Sequence, residues 1–500
     1  MLPGQLDKAG TKMKRVAIIG GGIAGLSAAF YLERARRDPL EWTLFEKSDR
    51  LGGVMKTERH DGYVLEAGPD SFLTAKPDGA ELCRELGIGD QLISSNDSER
   101  KTYILVQGRL IPIPDGLEFM VPTRIWPMVT TQLFSWGTRL RMAAELLSSR
   151  PAERHIEGQD EPVASFVRRH FGQQMVERVA EPLLAGVYGG DAEQLSVRAV
   201  LPRFVEMERQ HGSLVRASLR ARRANLSALR NPQTENRGNL RPQALFTSLN
   251  NGMQQMVDAI VSRLPASSLR VGERVLNLRR AKEGWLVESS KGTESFDAVL
   301  LALPAPAAAE LVRPLEPQLS DLLEKIQYTS SVAVAVAYDR VDLPPGHGLL
   351  VPRAEMRKMM ACTFVHKKFP HRAPPGSALL RCFMSSSRVP ELLSYSDDAL
   401  VEIIREELEE ILGISARPRL ARVFRWERAL PQYETGHLER IAIVERMMAK
   451  MPGTHIIGNS FYGIGIPDCI RSARLAVERI TSSVFEPASV ECPREILNGR

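Results

Sequence analysis

Arg15-Val16-Ala17-Ile18-Ile19-Gly20-Gly21-Gly22-Ile23-Ala24-Gly25 decides the fold of this chain. Its first half is a short apolar run of the kind that forms a buried parallel strand. Its second half is a GxGxxG turn, and Leu26-Ser27-Ala28-Ala29-Phe30-Tyr31-Leu32 then begins a helix with an apolar face. Each glycine has a mechanical reason. Gly20 permits the tight turn, Gly22 lets the backbone approach a pyrophosphate, and Gly25 lets helix and strand pack closely. Ile23 and Ala24 sit at the helix start, where free N–H groups and a partial positive charge face the phosphates.

A glycine turn alone is weak evidence. Here a second strand, Trp42-Thr43-Leu44-Phe45, ends in Glu46 followed by Lys47. An acid at that point is placed to accept the ribose hydroxyls. The chain continues Ser48-Asp49-Arg50-Leu51-Gly52-Gly53, and an Arg-x-Gly-Gly behind the ribose acid resembles the extension of FAD-dependent amine oxidases. There Gly52 and Gly53 bring backbone close to the diphosphate, and Arg50 supplies charge or simply faces solvent. The cofactor this implies is FAD, held non-covalently.

Two later segments read as distant parts of the same nucleotide fold. Val271 to Val275, with Val287 and Phe296, suggests a small hairpin, and Asp297 to Pro304 a buried strand that rejoins the nucleotide sheet. Near the far end, His455-Ile456-Ile457-Gly458-Asn459 reads as a strand and turn. Gly463-Ile464-Gly465-Ile466-Pro467-Asp468-Cys469-Ile470 then feeds a helix over 471–480 whose N-terminus would face the flavin ring. Its dipole would favour negative charge developing there.

Composition bounds the rest. Five hundred residues, 43% hydrophobic and 25% charged, imply an ordinary globular chain of more than one unit. A net charge of +6 permits an anionic ligand or an acidic membrane surface, while the lack of an aromatic-interleaved basic motif speaks against nucleic acid. The five cysteines form no CxxC pair and no metal-like cluster with histidine, as in a reducing compartment, so no metal is expected. No apolar window is long enough to span a bilayer, so the expectation is a cytoplasmic protein, at most attached to the inner face of the cell membrane.

Three stretches in the middle are more specific: Glu66-Ala67-Gly68-Pro69-Asp70-Ser71-Phe72, Glu181-Pro182-Leu183-Leu184-Ala185-Gly186-Val187-Tyr188-Gly189-Gly190-Asp191, and 426–438, which begins Trp426-Glu427-Arg428. With Gly458 to Ile470, they resemble the oxygen-dependent protoporphyrinogen oxidase family from about Lys14 to Ile480. The resemblance implies an α/β molecule with α+β insertions: a Rossmann-type FAD-binding domain, an interleaved mixed-sheet substrate domain and a helical membrane-binding domain. The expected division is FAD-binding over 14–90, 243–310 and 446–482, substrate domain over 91–110 and 311–445, and helical domain over 111–205. A basic loop and linker would cover 206–242, with tails at 1–13 and 483–500. The implied activity removes six electrons from protoporphyrinogen IX, with molecular oxygen as acceptor, giving protoporphyrin IX and hydrogen peroxide. Coproporphyrinogen III, on the same fold, is the rival substrate. Gly68, Pro69, Val275 and Trp426 fall on the implied flavin side with Gly458, Asn459, Gly465, Ile466 and Pro467. Arg100 or Lys101 would hold a propionate, Leu350 and Phe369 would grip a pyrrole ring unless they are core, and Gly186 would line the macrocycle. Asp70 departs from the plant members, which carry an amide, and is the one tentative catalytic residue. His437 reads as structural.

Between Leu110 and Leu147 large apolar residues, among them Phe119, Trp126, Phe134 and Trp136, are flanked by Arg124, Arg139 and Arg141. They suit either a peripheral membrane surface or the packing of a helical subdomain. From Arg209 to Arg241 eight arginines and a single acid, Glu235, read as a mobile solvated loop. A homodimer is compatible with all of this. An amine oxidase and a non-catalytic flavin-binding partner are the remaining rivals.

Overall fold

A computed structural model describes residues 14–35, 40–147, 160–230, 244–385 and 388–485. The tails at 1–13 and 486–500 and the end of the basic stretch at 231–243 lie outside the described residues.

The central sheet is parallel and gathers strands from both ends of the chain. Its order is Leu269–Val271, Leu40–Glu46, Lys14–Ile19, Ala298–Leu301 and Thr454–Ile456. Ala17, Ile18 and Val299 to Leu301 are wholly buried, as a parallel strand covered on both faces requires. One face is covered by the helices Ile23–Ala35, Gln254–Val261 and Ile466–Phe485, which share Leu26, Phe30, Val257, Ile470 and Val477 as one apolar core. The other is covered by Ala305–Val312, Pro317–Glu324 and a three-stranded meander.

That meander corrects one expectation. Val271 is not in a hairpin with Val275: it ends a strand of the central sheet, and Val275–Arg280 pairs onward with Trp285–Ser289 and Gly292–Phe296. Gly272, at φ +68°, separates the two. The last helix also begins at Ile466, five residues before the expected start, because Asp468 in its first turn accepts the Gly465 N–H.

A second sheet of seven strands runs Leu420–Pro431, Tyr328–Tyr338, Ala378–Met384, Met359–Phe364, Gly348–Leu350, Thr102–Val106 and Arg109–Pro112. It is mixed, since Gly348–Leu350 pairs parallel with Thr102–Val106 while its other pairings are antiparallel. The helix Asp397–Leu412 packs on it through Leu400, Ile404 and Leu408.

A helical unit includes Trp136–Leu147, Val163–Phe171, Glu181–Tyr188, Pro202–His211 and Leu214–Arg230. The last helix overturns the reading of 209–241 as a loop as far as Arg230. Leu214, Val215 and Ala217 are buried, and Arg216, Arg220, Arg222, Arg223 and Arg230 belong to this helix rather than to a loop. Its first turn is held by the buried Glu145, which accepts Ser213 Oγ–H at 2.8 Å and the Leu214 and Val215 N–H groups at 2.7 and 3.2 Å. Among the described residues, no helix is long and apolar enough to cross a membrane.

Candidate functional site

The glycine turn is built as a cradle with one open side. Gly20 takes φ +111°, and a Cβ there would lie 2.4 Å from the Ala302 carbonyl oxygen. A Cβ on Gly25 would lie 1.9 Å from the Gly20 oxygen, whereas one on Gly22 would meet nothing within 4 Å. So two glycines are demanded by the protein itself, and the third faces space that a ligand can use. Gly52 closes on the turn by donating its N–H to the Gly21 oxygen at 2.8 Å, and Gly53 stands beside the Gly22 Cα. Ile23 and Ala24 are buried at the helix start.

Glu46 ends its strand next to this turn. Its carboxylate accepts the Gly21 N–H at 2.7 Å and, through the other oxygen, the Ser48 N–H and Oγ–H at 2.9 and 2.6 Å. Lys47 is exposed. Arg50 turns back on its own loop, donating to the carbonyl oxygens of Leu51, Met55 and Gly53. Val275 is buried at the start of the meander.

The loop after Glu66 runs against this cradle. A Cβ on Gly68 would lie 1.9 Å from the Val54 oxygen, so glycine is required there. Pro69 is half-buried beside it. The Ala67 oxygen accepts the Trp426 Nε1–H at 2.7 Å and an Arg381 Nη2–H at 3.3 Å, which joins the loop to the seven-stranded sheet. From the far end, Gly458 takes φ +118° beside Ala24, and the Asn459 oxygen accepts Tyr433 O–H at 2.7 Å. Ile466 and Pro467 are buried in the first turn of the last helix. Asp468, 2% exposed, pairs there with Lys76 at 2.6 Å and Arg471 at 2.8 Å. The expected positive helix end thus carries its own carboxylate.

Sequence reasoning missed the most charged feature of the seam between the two sheets. Lys368 Nζ lies 3.1 Å from Asp70 Oδ2 and 3.2 Å from Ser71 Oγ, over the Phe246 ring. Arg372, 1% exposed, pairs with Glu66 at 3.1 Å and donates to Ser248 Oγ at 2.7 Å. Arg381 completes the cluster. Three cations thus face two carboxylates, and Arg372 Nη1 and Arg381 Nε are buried with no protein partner among the described residues. Burial alone would raise the Asp70 carboxyl, but Lys368 and Arg381 hold it well below the usual range. Burial dominates at Glu66 and raises it, in spite of Arg372. A small gap lies between this cluster and the aliphatic Val64, Leu65, Ala335, Val365 and Leu379. The available signals were Arg381 inside the apolar run Ala378–Met384 and the basic stretch around Phe369.

The expected substrate residues belong to the strand Gly348–Leu350, to segments flanking other strands of the seven-stranded sheet, and to the helix Glu181–Tyr188. Arg100 is half-exposed, 3.8 Å from Asp97, and Lys101 is exposed. Leu350 is half-buried against the helical unit. Phe369 is fully buried, with Lys368 and Arg372 over its ring, so in this structure it is core and not the wall of an open slot. Gly186 is exposed in mid-helix, and a Cβ there would meet nothing within 4 Å. Nothing in the protein asks for glycine at that point, although glycine inside a helix costs about 1 kcal/mol relative to alanine. A small neighbouring depression is lined by Glu181, Ala185, Arg353, Arg357 and Met360, among others. Arg353 spans from the sheet to Glu181 and Asp191 of the helical side, at 2.7 and 3.0 Å. His437 is buried and stacked on Tyr433, with centroids 4.0 Å apart, and burial lowers it to about 4.

Comparison with known proteins fits this geometry. The family model for flavin-containing amine oxidoreductase matches residues 23–481. The chain is 35% identical to the coproporphyrinogen III oxidase of Bacillus subtilis (strain 168), covering 94% of this chain and 99% of that one. It is 26% identical to the mitochondrial protoporphyrinogen oxidase of Nicotiana tabacum, covering 99% and 100%. A crystal structure from Exiguobacterium sp. 255-15, named for protoporphyrinogen oxidase, superposes with a TM-score of 0.80 at 31% identity, over 95% of this chain and 99% of that one. The chain is a member of the flavin-containing amine oxidoreductase family, in the branch that holds the coproporphyrinogen III and protoporphyrinogen oxidases.

Proposed function

We propose that this protein is a porphyrinogen oxidase that binds FAD non-covalently and uses dioxygen as electron acceptor. Coproporphyrinogen III is its favoured substrate. The observation that carries the substrate choice is the 35% identity to a bacterial coproporphyrinogen III oxidase, against 26% to a plant protoporphyrinogen oxidase. This reverses the order read from the motifs alone, which those two groups share.

The residues fit the cofactor. The open side of Gly22, the close backbone of Gly52 and Gly53 and the carboxylate of Glu46 would hold the adenosine diphosphate part. Gly68, Pro69, Trp426 and the Gly458–Pro467 segment would border the ring. When bound, the flavin supplies a two-electron acceptor that three turnovers use to aromatise the macrocycle. The protein's part is to position the substrate and exclude water. Gly186 leaves room on its helix for a flat macrocycle, and the exposed Lys101, or Arg100 on leaving Asp97, would meet a ring carboxylate. The cation surplus at Lys368, Arg372 and Arg381 suits an anionic group of cofactor or substrate. The exposed Trp126, Trp136, Leu140 and Leu147, with Arg139 over the Trp136 ring, suit peripheral contact with the inner face of the cell membrane.

Purified protein should be yellow, and acid precipitation should release its flavin into the supernatant. Under anaerobic conditions, coproporphyrinogen III should bleach the flavin faster than protoporphyrinogen IX. The reverse order restores protoporphyrinogen IX as substrate, and bleaching by neither removes the catalytic reading.

A further inference from the structure

Cys362 and Cys382 stand directly opposite each other in the antiparallel strands Met359–Phe364 and Ala378–Met384. The Cys382 S–H points at Cys362 Sγ, 3.6 Å away, and both residues are 1% exposed or less. Cys83 and Cys469 are also free and buried. Directly opposed residues in such a ladder have Cα atoms about 4.5–5.5 Å apart, inside the range of roughly 4.4–6.8 Å that a disulfide spans. The two thiols therefore need only side-chain rotation to bond.

We propose that Cys362 and Cys382 are a peroxide-oxidised thiol pair that forms an internal cross-strand disulfide. One sulfur attacks hydrogen peroxide, the O–O bond breaks, and a sulfenic acid and one water result. The second sulfur displaces the sulfenic hydroxyl, the S–S bond forms, and a second water leaves. In sum two thiols and one peroxide give one disulfide and two waters, with two electrons passing from sulfur to oxygen. Burial raises the Cys382 thiol well above its ordinary value, so thiolate is scarce and the first step is slow. The second step is fast by comparison, because the partner is already in contact.

The position gives the bond a consequence. The segment it would close, 363–381, carries Val365–Lys368 and Arg372, whose cations reach Asp70 and Glu66. A disulfide at its base ties the two strands that hold Lys368, Arg372 and Arg381 at the seam. The inference is independent of which porphyrinogen is oxidised, since the oxidant is a peroxide from any source.

The test uses the full-length flavin-loaded protein incubated with millimolar hydrogen peroxide or, separately, with diamide. Non-reducing peptide mapping should show one 362–382 cross-linked peptide, 2 Da lighter than the sum of its reduced parts. Two fewer thiols should titrate after denaturation, and the Tm should rise. Cys362→Ser and Cys382→Ser should each abolish the cross-link. The proposal is overturned if hydrogen peroxide does not produce that peptide while the protein stays folded, whatever diamide does. It is equally overturned if the two sulfurs are instead recovered as separate sulfinic acids, or if Cys83 and Cys469 are consumed first.

Discussion

Gly22 and Gly25 lie in one turn and make opposite predictions. At Gly25 a methyl group strikes the Gly20 carbonyl at 1.9 Å, so Gly25→Ala should destabilise the fold by at least the usual overpacking cost of about 1–3 kcal/mol. At Gly22 it strikes nothing, so Gly22→Val should leave the thermal midpoint of flavin-free protein unchanged and abolish flavin binding. Stoichiometric flavin in purified Gly22→Val protein would refute the placement of the diphosphate. Lys368 offers a second contrast. Removing one partner of a buried pair costs about 3–5 kcal/mol, so Lys368→Met should be strongly destabilising, and adding Asp70→Asn should recover most of the loss. The pair also sets a pH window. Asp70 is held below its ordinary value, so its stabilisation is present above about pH 4 and is lost as the pH falls towards the folded value. In Lys368→Met that acid-side loss should shrink in pH-dependent unfolding curves, leaving the part that Arg381 holds. The glycine roles were legible in the sequence because each is a local geometric demand. The Lys368–Asp70 pair was not, because its members are 298 residues apart and no spacing rule joins them.

At the scale of elements, the helix Leu214–Arg230 depends on a cap that comes from another helix. Glu145 takes its first N–H groups and also accepts from His170, whose other ring nitrogen meets Glu208. Burial works against a charged His170, but the hydrogen bonds of Glu145 and Glu208 outweigh it and raise its pKa above the ordinary value near 6.5. The sign follows: the stabilisation is complete below about pH 6.5 and is lost as the pH rises through the folded value. Protection factors in 214–223, corrected for the base-catalysed intrinsic rate, should therefore fall between pH 6 and pH 8, and His170→Gln should remove that fall. Arginine spacing concealed this helix from sequence reasoning. Its cap lies 69 residues upstream at Glu145, and its apolar residues are interleaved with arginines. The strands of the nucleotide sheet were legible for the opposite reason, since each is a continuous apolar run ending in a turn.

In the whole molecule, the helical unit is fastened to the sheets by hydrogen bonds that cross long stretches of chain. Ser196 N–H donates to the Tyr433 oxygen at 2.7 Å, Thr435 N–H to the Gln194 oxygen at 2.9 Å, and Gln432 Nε2–H to the Tyr188 oxygen at 2.7 Å. Gln432 is 5% exposed, and its side chain fills the space a Cβ on Gly190 would need. Gln432→Leu leaves the Tyr188 carbonyl without that donor and should cost about 1–3 kcal/mol in denaturant unfolding, with flavin content unchanged. The seven-stranded sheet draws Thr102–Val106 and Arg109–Pro112 from one side of the helical unit in sequence and its other five strands from the other, so the unit is clamped at both of its ends. The central sheet is more extreme still, because Lys14–Ile19 and Thr454–Ile456 share one neighbour, Ala298–Leu301. On the ribosome, at about 5–20 residues per second, the first strand emerges roughly 20–90 s before the last. The nascent glycine turn therefore waits through most of translation with its far wall unmade, and chains arrested before residue 470 should leave the ribosome colourless.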